Sequence, residues 1–342
     1  MVKIAIIGAG FMGQTHAAAY AEIENAELTA ICDRSRESRE AFAENFGCSA
    51  FADFETMLAG AEFDVVDICL PTFLHEEYVG LAARAKKDIF CEKPFTLSVA
   101  SMDRMLETVR ENQVRLFVGQ VLHFWQEYVL AKRMIDGGEL GEIRYVYAAR
   151  LSEHPNWGDW YRRPENSGGG LFDLHLHDVD FMIWTFGEVE SVYAAGKKNA
   201  AGCWNYVSSI LNFRNGISAT VQGVIEMEKG YPFTMELRLV GSEKTFDYVM
   251  RAGDNLRNHD SALRVTRIYD DGAVTVPSLE ARDAYTVELE DFVGCVAENR
   301  ESGWVRNEDV RKVLCTIEAL RLSLESGEKV SVDRRASCRE RV

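Results

Sequence analysis

Residues 2–13, VKIAIIGAGFMG, decide the fold of the N-terminal half. A run of apolar residues leads directly into three glycines spaced as G-x-G-x-x-G, and helical periodicity follows over residues 14–23. A continuous apolar run of this length is typical of a strand that is buried on both faces of a parallel sheet. The stretch therefore predicts a strand, a tight glycine turn and a helix that begins at the turn.

The remainder of the first 120 residues repeats this alternation of strand and helix. Further predicted strands are the apolar runs at residues 28–32, 65–70, 89–91 and 116–118. Helix-like segments lie between these runs, so the pattern predicts an α/β fold with a doubly wound parallel sheet.

After about residue 122 the pattern changes to strands joined by polar turns, with helical periodicity returning at residues 283–298 and 307–324. We expect an α+β domain with a large, mostly antiparallel sheet. The predicted division is a dinucleotide-binding domain at 1–121, a substrate and oligomerisation domain at 122–332, and a loose basic tail at 333–342.

Composition excludes several classes of partner. The chain has 342 residues, with 38 Lys and Arg against 54 Asp and Glu, which gives a net charge of −16. This balance argues against nucleic acid and anionic membranes as partners. The N-terminus lacks the pattern of a secretory signal, and no apolar run is long enough to span a bilayer. The eight cysteines show no C-x-x-C spacing, so we expect a cytoplasmic protein with neither a disulfide framework nor a bound metal.

The glycine turn has the spacing of a dinucleotide-binding site. Gly8 permits the tight turn, Gly10 lets the backbone approach a pyrophosphate, and Gly13 allows close packing of the helix on the strand. Phe11 and Met12 lie between these glycines at the start of the helix, whose positive end favours an anion. A glycine turn without a ligand is the structural alternative.

An acidic residue closes the second predicted strand. Asp33 lies 33 − 13 = 20 residues beyond the last glycine, where a carboxylate can accept hydrogen bonds from an adenosine ribose. Its charge would repel a 2′-phosphate and favours NAD as the cofactor. Arg34 and Arg36 could bind that phosphate instead, so NADP is not excluded.

Two more turns follow predicted strands, at the edge of the sheet where α/β proteins bind ligands. The candidate cofactor-binding residues in these turns are Leu70, Pro71, Thr72, His75, Glu92 and Lys93. A helix-capping turn and a solvent-exposed lysine are the ordinary alternatives.

A glycine-rich run at 167–170 precedes a segment in which Asp173, His177 and Asp180 recur at helical spacing. On a helix these side chains would form one stripe, composed of the residue types that transfer protons or bind metals. A metal site that uses His175 and His177 together would require a strand, because residues two apart point in nearly opposite directions on a helix.

These four motifs together resemble the Gfo/Idh/MocA oxidoreductase family, which includes inositol dehydrogenases and glucose–fructose oxidoreductases. The resemblance implies a Rossmann domain followed by a domain whose open sheet commonly forms dimers or tetramers. It also implies that Lys93, Asp173 and His177 are catalytic and that Asp180 is a substrate-side acid. His175 departs from the glycine found in many members, and we expect it to add bulk and a titratable group near the site.

The resemblance favours NAD(P)-dependent hydride transfer at a hydroxyl or carbonyl carbon of a polyol, inositol, sugar or sugar derivative. Further candidates for the substrate site are Trp157, Trp160, Tyr161, Arg162, Arg163 and Tyr285, because aromatic faces and planar donors suit hydroxylated ligands. Aromatic packing within a loop is an equally good explanation of the first five. An NAD-dependent glycosidase and a non-catalytic NAD-binding regulator remain alternatives.

Overall fold

The computed structural model describes residues 1–155, 158–253 and 258–332. The predicted tail at 333–342 lies outside this range. The strands are β1 (Val2–Ile7), β2 (Ala26–Cys32), β3 (Ser49–Phe51), β4 (Val65–Ile68), β5 (Asp88–Cys91), β6 (Leu116–Val118), β7 (Ile143–Glu153), β8 (Val189–Lys198), β9 (Trp204–Phe213), β10 (Ser218–Met227), β11 (Phe233–Gly241), β12 (Lys244–Gly253), β13 (Asn258–Asp270), β14 (Ala273–Thr275) and β15 (Val330–Ser331).

The helices alternate with the strands in the first half and are grouped in the second. They are α1 (Phe11–Tyr20), α2 (Arg36–Phe46), α3 (Phe54–Gly60), α4 (His75–Arg84), α5 (Val99–Asn112), α6 (Gln126–Asp136), α7 (Pro164–Ser167), α8 (Gly169–Asp173), α9 (His175–Phe186), α10 (Ala284–Ala297) and α11 (Asn307–Ser326). Short 3₁₀ helices span Thr72–Leu74, Val121–His123 and Asp159–Arg162.

The chain forms two compact units. The first comprises Met1–Phe124 and Arg282–Val310, and the second comprises Trp125–Ala281 and Arg311–Val342. The predicted division placed 282–310 in the second domain, whereas here this segment belongs to the first unit. The reason is that α10 contributes Leu289 and Phe292 to the apolar core beneath β1, a long-range contact that composition alone does not reveal.

The first unit contains a six-stranded sheet in the order β3-β2-β1-β4-β5-β6. Every strand pair in it is parallel, as the alternating sequence pattern predicted. The strand order reverses between β1 and β4, and the crevice beyond the carboxyl ends of two such strands is where open α/β sheets bind their ligands.

The second unit contains a nine-stranded sheet in the order β14-β13-β12-β11-β7-β10-β9-β8-β15. Only the β7–β10 pair is parallel, so the sheet is mostly antiparallel as predicted. Successive side chains of each strand alternate between the two faces of this sheet. On the inner face, one row of residues that pair from strand to strand is buried: Ala194, Ser209, Val221, Ala148, Leu237, Tyr248 and Thr266.

The adjacent cross-strand row lies on the opposite face of the same sheet and is partly or fully exposed. It consists of Tyr193, Ile210, Thr220, Tyr147, Arg238, Asp247 and Arg267. This face carries apolar side chains, and Tyr193 and Ile210 are each 42% exposed.

None of the helices in the described ranges has the length and apolar character that a bilayer crossing needs. The seven cysteines in those ranges are all free thiols.

Candidate functional site

The glycine turn after β1 has the backbone geometry that its sequence predicted. Gly8 has a φ of +105°, and a Cβ atom there would lie 2.5 Å from the carbonyl oxygen of Cys69. A Cβ at Gly13 would lie 1.9 Å from the carbonyl oxygen of Gly8, so only glycine lets α1 pack this closely on the turn.

Gly10 differs from these two glycines, because no heavy atom lies within 4 Å of a Cβ built on it. It is also the N-cap of α1, and no side chain caps the first turn of that helix. The turn therefore offers open space and an uncapped helix N-terminus on the same side, which fits the pyrophosphate of a dinucleotide. Phe11 and Met12 form the first turn of α1, and Phe11 is exposed.

Asp33 follows β2 and is tied to the glycine turn. Its Oδ2 atom accepts a 2.8 Å hydrogen bond from the backbone N–H of Ala9, and its Oδ1 atom accepts one of 2.7 Å from the N–H of Ser35. A carboxylate has further lone pairs, so these bonds orient Asp33 without using all of its accepting capacity. Arg34 is exposed beside it.

The turn after β4 contains Leu70, Pro71, Thr72 and His75. His75 is buried, and its ring nitrogens lie 2.8 Å from the carbonyl oxygen of Leu70 and 3.1 Å from that of Phe95. Burial lowers the pKa of His75 below its usual 6.5. The ring lies between the loops that follow β4 and β5, and as a neutral ring it donates to one of these two carbonyl oxygens. The direct cofactor contact expected for His75 stays a prediction.

Glu92 and Lys93 follow β5, and the Lys93–Pro94 peptide bond is cis. Glu92 is nearly buried, whereas Lys93 is half-buried. Oε2 of Glu92 accepts a 2.8 Å hydrogen bond from the backbone N–H of Lys93. Both carboxylate oxygens of Glu92 have protein partners, because Oε1 lies 3.1 Å from Nε2 of His16.

His16 is the centre of a buried polar cluster that the sequence analysis missed. Its Nδ1 atom lies 2.8 Å from Oδ2 of Asp67, which also accepts a hydrogen bond from the Tyr20 hydroxyl. The side chain of Cys69 lies within 3.4 Å of both His16 and Asp67. Ligand-type atoms of His16, Asp67 and Cys69 lie within 4.8 Å of one another, but the ring and the carboxylate contact each other directly, so hydrogen bonds organise this cluster.

Tyr285 lies on α10 in the same unit, and its ring centroid is 6.2 Å from that of His16. Burial, and then the negative charge of Glu92, raise the pKa of Tyr285 above its usual 10. Its described neighbours are therefore those of the buried cluster. The substrate contact expected for Tyr285 stays a prediction.

In the second unit, the predicted helix over Asp173, His177 and Asp180 is interrupted. α8 ends at Asp173 and α9 begins at His175, with Leu174 between them at φ −97° and ψ −50°. The three side chains are all at least 92% buried. The solvated helix face that a charged stripe usually forms is therefore absent from this segment.

Asp173 is oriented by the preceding aromatic loop. The hydroxyl of Tyr161, on the 3₁₀ helix Asp159–Arg162, donates a 2.7 Å hydrogen bond to Oδ2 of Asp173. Burial, and then the charge of Asp173, raise the pKa of Tyr161 well above 10, so it remains a donor. The ring of Trp160 packs edge-on against Tyr161, while Arg162 and Arg163 are exposed. Trp157 lies outside the described residues.

The expectation for His175 was wrong. This ring is fully buried against the sheet, with Nε2 2.9 Å from Oγ of Ser209 on β9. A Cβ on Gly223 of β10 would lie 2.9 Å from Nδ1 of His175, so that glycine makes room for the ring. Burial lowers the pKa of His175 to about 3 and keeps it neutral. Because α9 is a helix, His175 points into the core, and a joint metal site with His177 is not formed.

A buried ion pair holds α9 on the sheet. Arg150 of β7 donates hydrogen bonds of 3.0 and 3.1 Å to the two carboxylate oxygens of Asp178. The Tyr128 hydroxyl on α6 lies 3.4 Å from the same carboxylate. Burial acts against the charge of Arg150, but Asp178 raises its pKa above the usual 12.5. Arg150 therefore stays charged, and its ion pair with Asp178 fixes the residue that follows His177.

Sequence signals existed for some of the missed residues. Asp67 is a charged residue inside the apolar run of β4, and His16 lies among buried alanines on α1. A charge inside a strand buried on both faces needs a partner, which predicts a buried cation but not which one. Nothing in the local pattern identifies Tyr161 as the partner of Asp173.

Both halves of the chain match models of one protein family. Residues 2–120 match the model described as an oxidoreductase family with an NAD-binding Rossmann fold. Residues 128–247 match the model described as the GFO/IDH/MocA C-terminal domain.

Curated relatives span nearly the whole chain. The myo-inositol 2-dehydrogenase of Thermotoga maritima is 29% identical over 97% of this chain and 99% of that protein. The inositol 2-dehydrogenase of Rhizobium meliloti is 28% identical over 88% of this chain and 90% of that protein. A putative NADPH-dependent oxidoreductase of Desulfitobacterium hafniense has a similar fold, with a TM-score of 0.85, 22% identity and coverage of 97% and 98% of the two chains.

Proposed function

Since the chain belongs to the Gfo/Idh/MocA oxidoreductase family, we propose that it oxidises a hydroxyl group of a polyol, inositol or sugar with NAD, or reduces the matching carbonyl. The observation that carries the proposal is the glycine turn, where Gly10 leaves open space at the uncapped N-terminus of α1. Asp33 lies beside this turn and favours NAD, because its negative charge would repel a 2′-phosphate.

The cofactor contacts would come from the carboxyl ends of β1, β2, β4 and β5. The pyrophosphate would be bound by the backbone of the glycine turn and the start of α1, at Gly8, Gly10, Phe11, Met12 and Gly13. The adenosine ribose would be bound by Asp33 and Arg34. The rest of the cofactor would be bound by the turns after β4 and β5, at Leu70, Pro71, Thr72 and Lys93. NAD supplies the hydride-accepting carbon when it is bound.

The chain must then manage the proton and the developing negative charge on the substrate oxygen. We propose that a ring nitrogen of His177 takes the hydroxyl proton during oxidation and returns it during reduction. Asp173, oriented by Tyr161, would stabilise the protonated ring. The Lys93 ammonium would donate a hydrogen bond to the reacting oxygen and favour its anionic form. Trp160, Arg163 and Asp180 remain candidates for substrate contacts.

The test is a steady-state assay of NADH formation with myo-inositol, scyllo-inositol, free sugars and glucosides, each with NAD and with NADP. We expect Lys93→Ala and His177→Ala each to lower kcat by about 10²- to 10⁴-fold, while NADH still binds. Lys87→Ala is a matched control, because Lys87 lies at the amino end of β5 and donates to the carbonyl oxygen of Phe63. Turnover of either site variant within about threefold of wild type would contradict the assigned roles.

The same assay distinguishes the alternatives. Release of an aglycone from a glucoside without net NADH formation would show a glycosidase. NADH binding without turnover of any substrate class would instead support a regulatory protein.

We infer further that a second copy of the chain covers the open face of the nine-stranded sheet. This face exposes Tyr145, Tyr193, Tyr206 and Ile210, and contiguous exposed apolar side chains of this kind mark interaction surfaces. A symmetric homo-oligomer is the simplest assembly that buries them. Analytical ultracentrifugation tests it: Ile210→Lys should shift the protein toward monomer, whereas a wild-type monomer would contradict the inference.

A further inference from the structure

The cluster behind Lys93 has an arrangement that cofactor binding alone does not require. His16 is fully buried at the third position after Gly13, and each of its ring nitrogens faces a carboxylate. Nδ1 lies 2.8 Å from Asp67 on β4, and Nε2 lies 3.1 Å from Glu92 after β5. One ring thus connects the ends of two adjacent strands.

Both ring nitrogens of His16 must carry hydrogen to satisfy two carboxylate acceptors, so the ring is an imidazolium. Burial opposes this charge, but the charge of Asp67, the neighbouring Cys69 and the hydrogen bonds to both together raise the pKa of His16 well above 6.5. The Cys69 thiol, the phenol of Tyr285 on α10 and the ring of Phe90 also lie against His16, and the Tyr20 hydroxyl donates to Asp67.

Glu92 is correspondingly held as a carboxylate. Burial acts to raise its pKa, but the hydrogen bond from His16 and then the charge of His16 lower it below the usual 4.5. Gly119 makes room for this carboxylate, because a Cβ there would lie 3.3 Å from Oε1 of Glu92. Oε2 of Glu92 then accepts the backbone N–H of Lys93 at 2.8 Å.

An unbroken chain of hydrogen bonds therefore runs from Asp67 through His16 and Glu92 to the backbone of Lys93. We propose that His16 is a positioning residue for Lys93: its ring locks the Glu92 carboxylate, and Glu92 holds the peptide from which the lysine side chain projects. This inference rests on the proposed role of Lys93 as the group that binds the reacting oxygen. His16 itself acts only through Glu92.

Two substitutions separate the two hydrogen bonds of His16. His16→Gln places an amide near the position of Nε2 and can still donate to Glu92, whereas His16→Asn places it near Nδ1 and can donate only to Asp67. We expect His16→Asn to lower kcat by about 10- to 100-fold, as expected when a catalytic group is misplaced. His16→Gln should stay within about threefold of wild type, with KM for the substrate little changed in both variants.

A purely structural role would give a different result. It would lower the melting temperature and weaken NADH binding to the same degree in both variants, because α1 carries the glycine turn as well as His16. NADH fluorescence titration and thermal unfolding measure these quantities without turnover. Equal kcat losses in the two variants, or losses that follow NADH affinity, would overturn the inference.

A double-mutant cycle connects the effect to Lys93. If His16 acts through Lys93, His16→Asn should lower kcat by less than about twofold in a Lys93→Ala background. A full additional loss in that background would overturn the positioning role while leaving Lys93 catalytic. A small effect of Lys93→Ala alone would instead contradict the proposed function, so the two failures are distinguishable.

The protonation state of His16 can be measured directly by NMR. Nitrogen-15 NMR of histidine-labelled protein should show both ring nitrogens of His16 protonated at neutral pH, and this resonance should be missing in His16→Gln. Because the folded pKa is raised, the charge of His16 stabilises the fold fully below pH 6.5, and this stability is lost as pH rises through the folded value. A neutral single-tautomer ring near pH 7 would overturn the inference.

Discussion

The hydroxyl of Tyr161 donates a 2.7 Å hydrogen bond to Oδ2 of Asp173, and both side chains are buried. The backbone of Tyr161 is fixed in turn, because its carbonyl oxygen accepts a 2.8 Å hydrogen bond from Oγ of Ser167. The loop before α8 therefore sets the orientation of the carboxylate at the end of that helix.

Tyr161→Phe tests this relationship. Removal of the hydroxyl leaves a buried carboxylate with one fewer donor, so we expect a loss of about 1–3 kcal/mol in the free energy of unfolding. If Asp173 orients His177, kcat should fall by about tenfold while the NADH dissociation constant stays within about twofold. Steady-state kinetics and urea unfolding measure the two effects.

Tyr147→Phe is the matched control for that substitution. The Tyr147 hydroxyl donates to Gln222 on the open face of the sheet, so its loss should leave kcat unchanged. Equal kinetic effects of the two substitutions would rule out a specific role for Tyr161.

We expect substitutions of Arg150 and Asp178 to have strongly non-additive effects on the free energy of unfolding. Arg150→Met leaves the buried Asp178 carboxylate without its cation, and such a change typically costs about 3–5 kcal/mol. Adding Asp178→Asn removes the unpaired charge, so the double variant should be more stable than Arg150→Met alone. Additive losses in urea unfolding would show that the pair contributes little beyond its packing.

Because the ring of His175 is buried and neutral, we expect acid to lower the stability of the fold. The folded ring stays neutral down to about pH 3, whereas the unfolded chain binds a proton below about pH 6.5. The unfolded state therefore binds more protons in this window, and the free energy of unfolding falls as pH falls, by about 5 kcal/mol in total.

His175→Gln removes this proton uptake while keeping a polar side chain near Ser209. We expect its urea midpoint to change less than that of wild type between about pH 7 and pH 4.5. His154→Gln is the control, since His154 is only half-buried. An unchanged pH dependence in His175→Gln would mean that the buried ring takes up its proton in the folded state.

Asp33 predicts the cofactor preference. Asp33→Asn removes the negative charge but keeps an oxygen that can accept from Ala9 or Ser35. We expect the ratio of kcat/KM for NADP to that for NAD to rise by about tenfold or more, because repulsion of the 2′-phosphate is relieved. Glu62→Gln removes an equal charge before β4, at the amino end of the sheet, and should leave the ratio unchanged. Wild-type activity with NADP far above NAD would contradict the role given to Asp33.

The sequence alone determined the architecture, because periodicity and turn chemistry are local. The apolar run at Val2–Ile7 and the glycines after it predicted a strand, a turn and a helix, and the structure contains all three. Gly8 and Gly13 had predictable roles, since only glycine tolerates those contacts. The residue types and spacing of Asp173 and His177 were likewise sufficient to make them candidates for proton transfer.

Tertiary structure alone decided which polar groups are partners and which of them are buried. His175 and His177 are close in sequence, yet His175 faces the sheet core because α9 is a helix. The membership of α10 in the first unit depends on contacts more than 160 residues apart, such as that of Gln120 with Glu288. Hydrogen bonding and desolvation depend on the distance between groups in space. Spacing along the sequence gives that distance only for residues of the same helix, strand or turn.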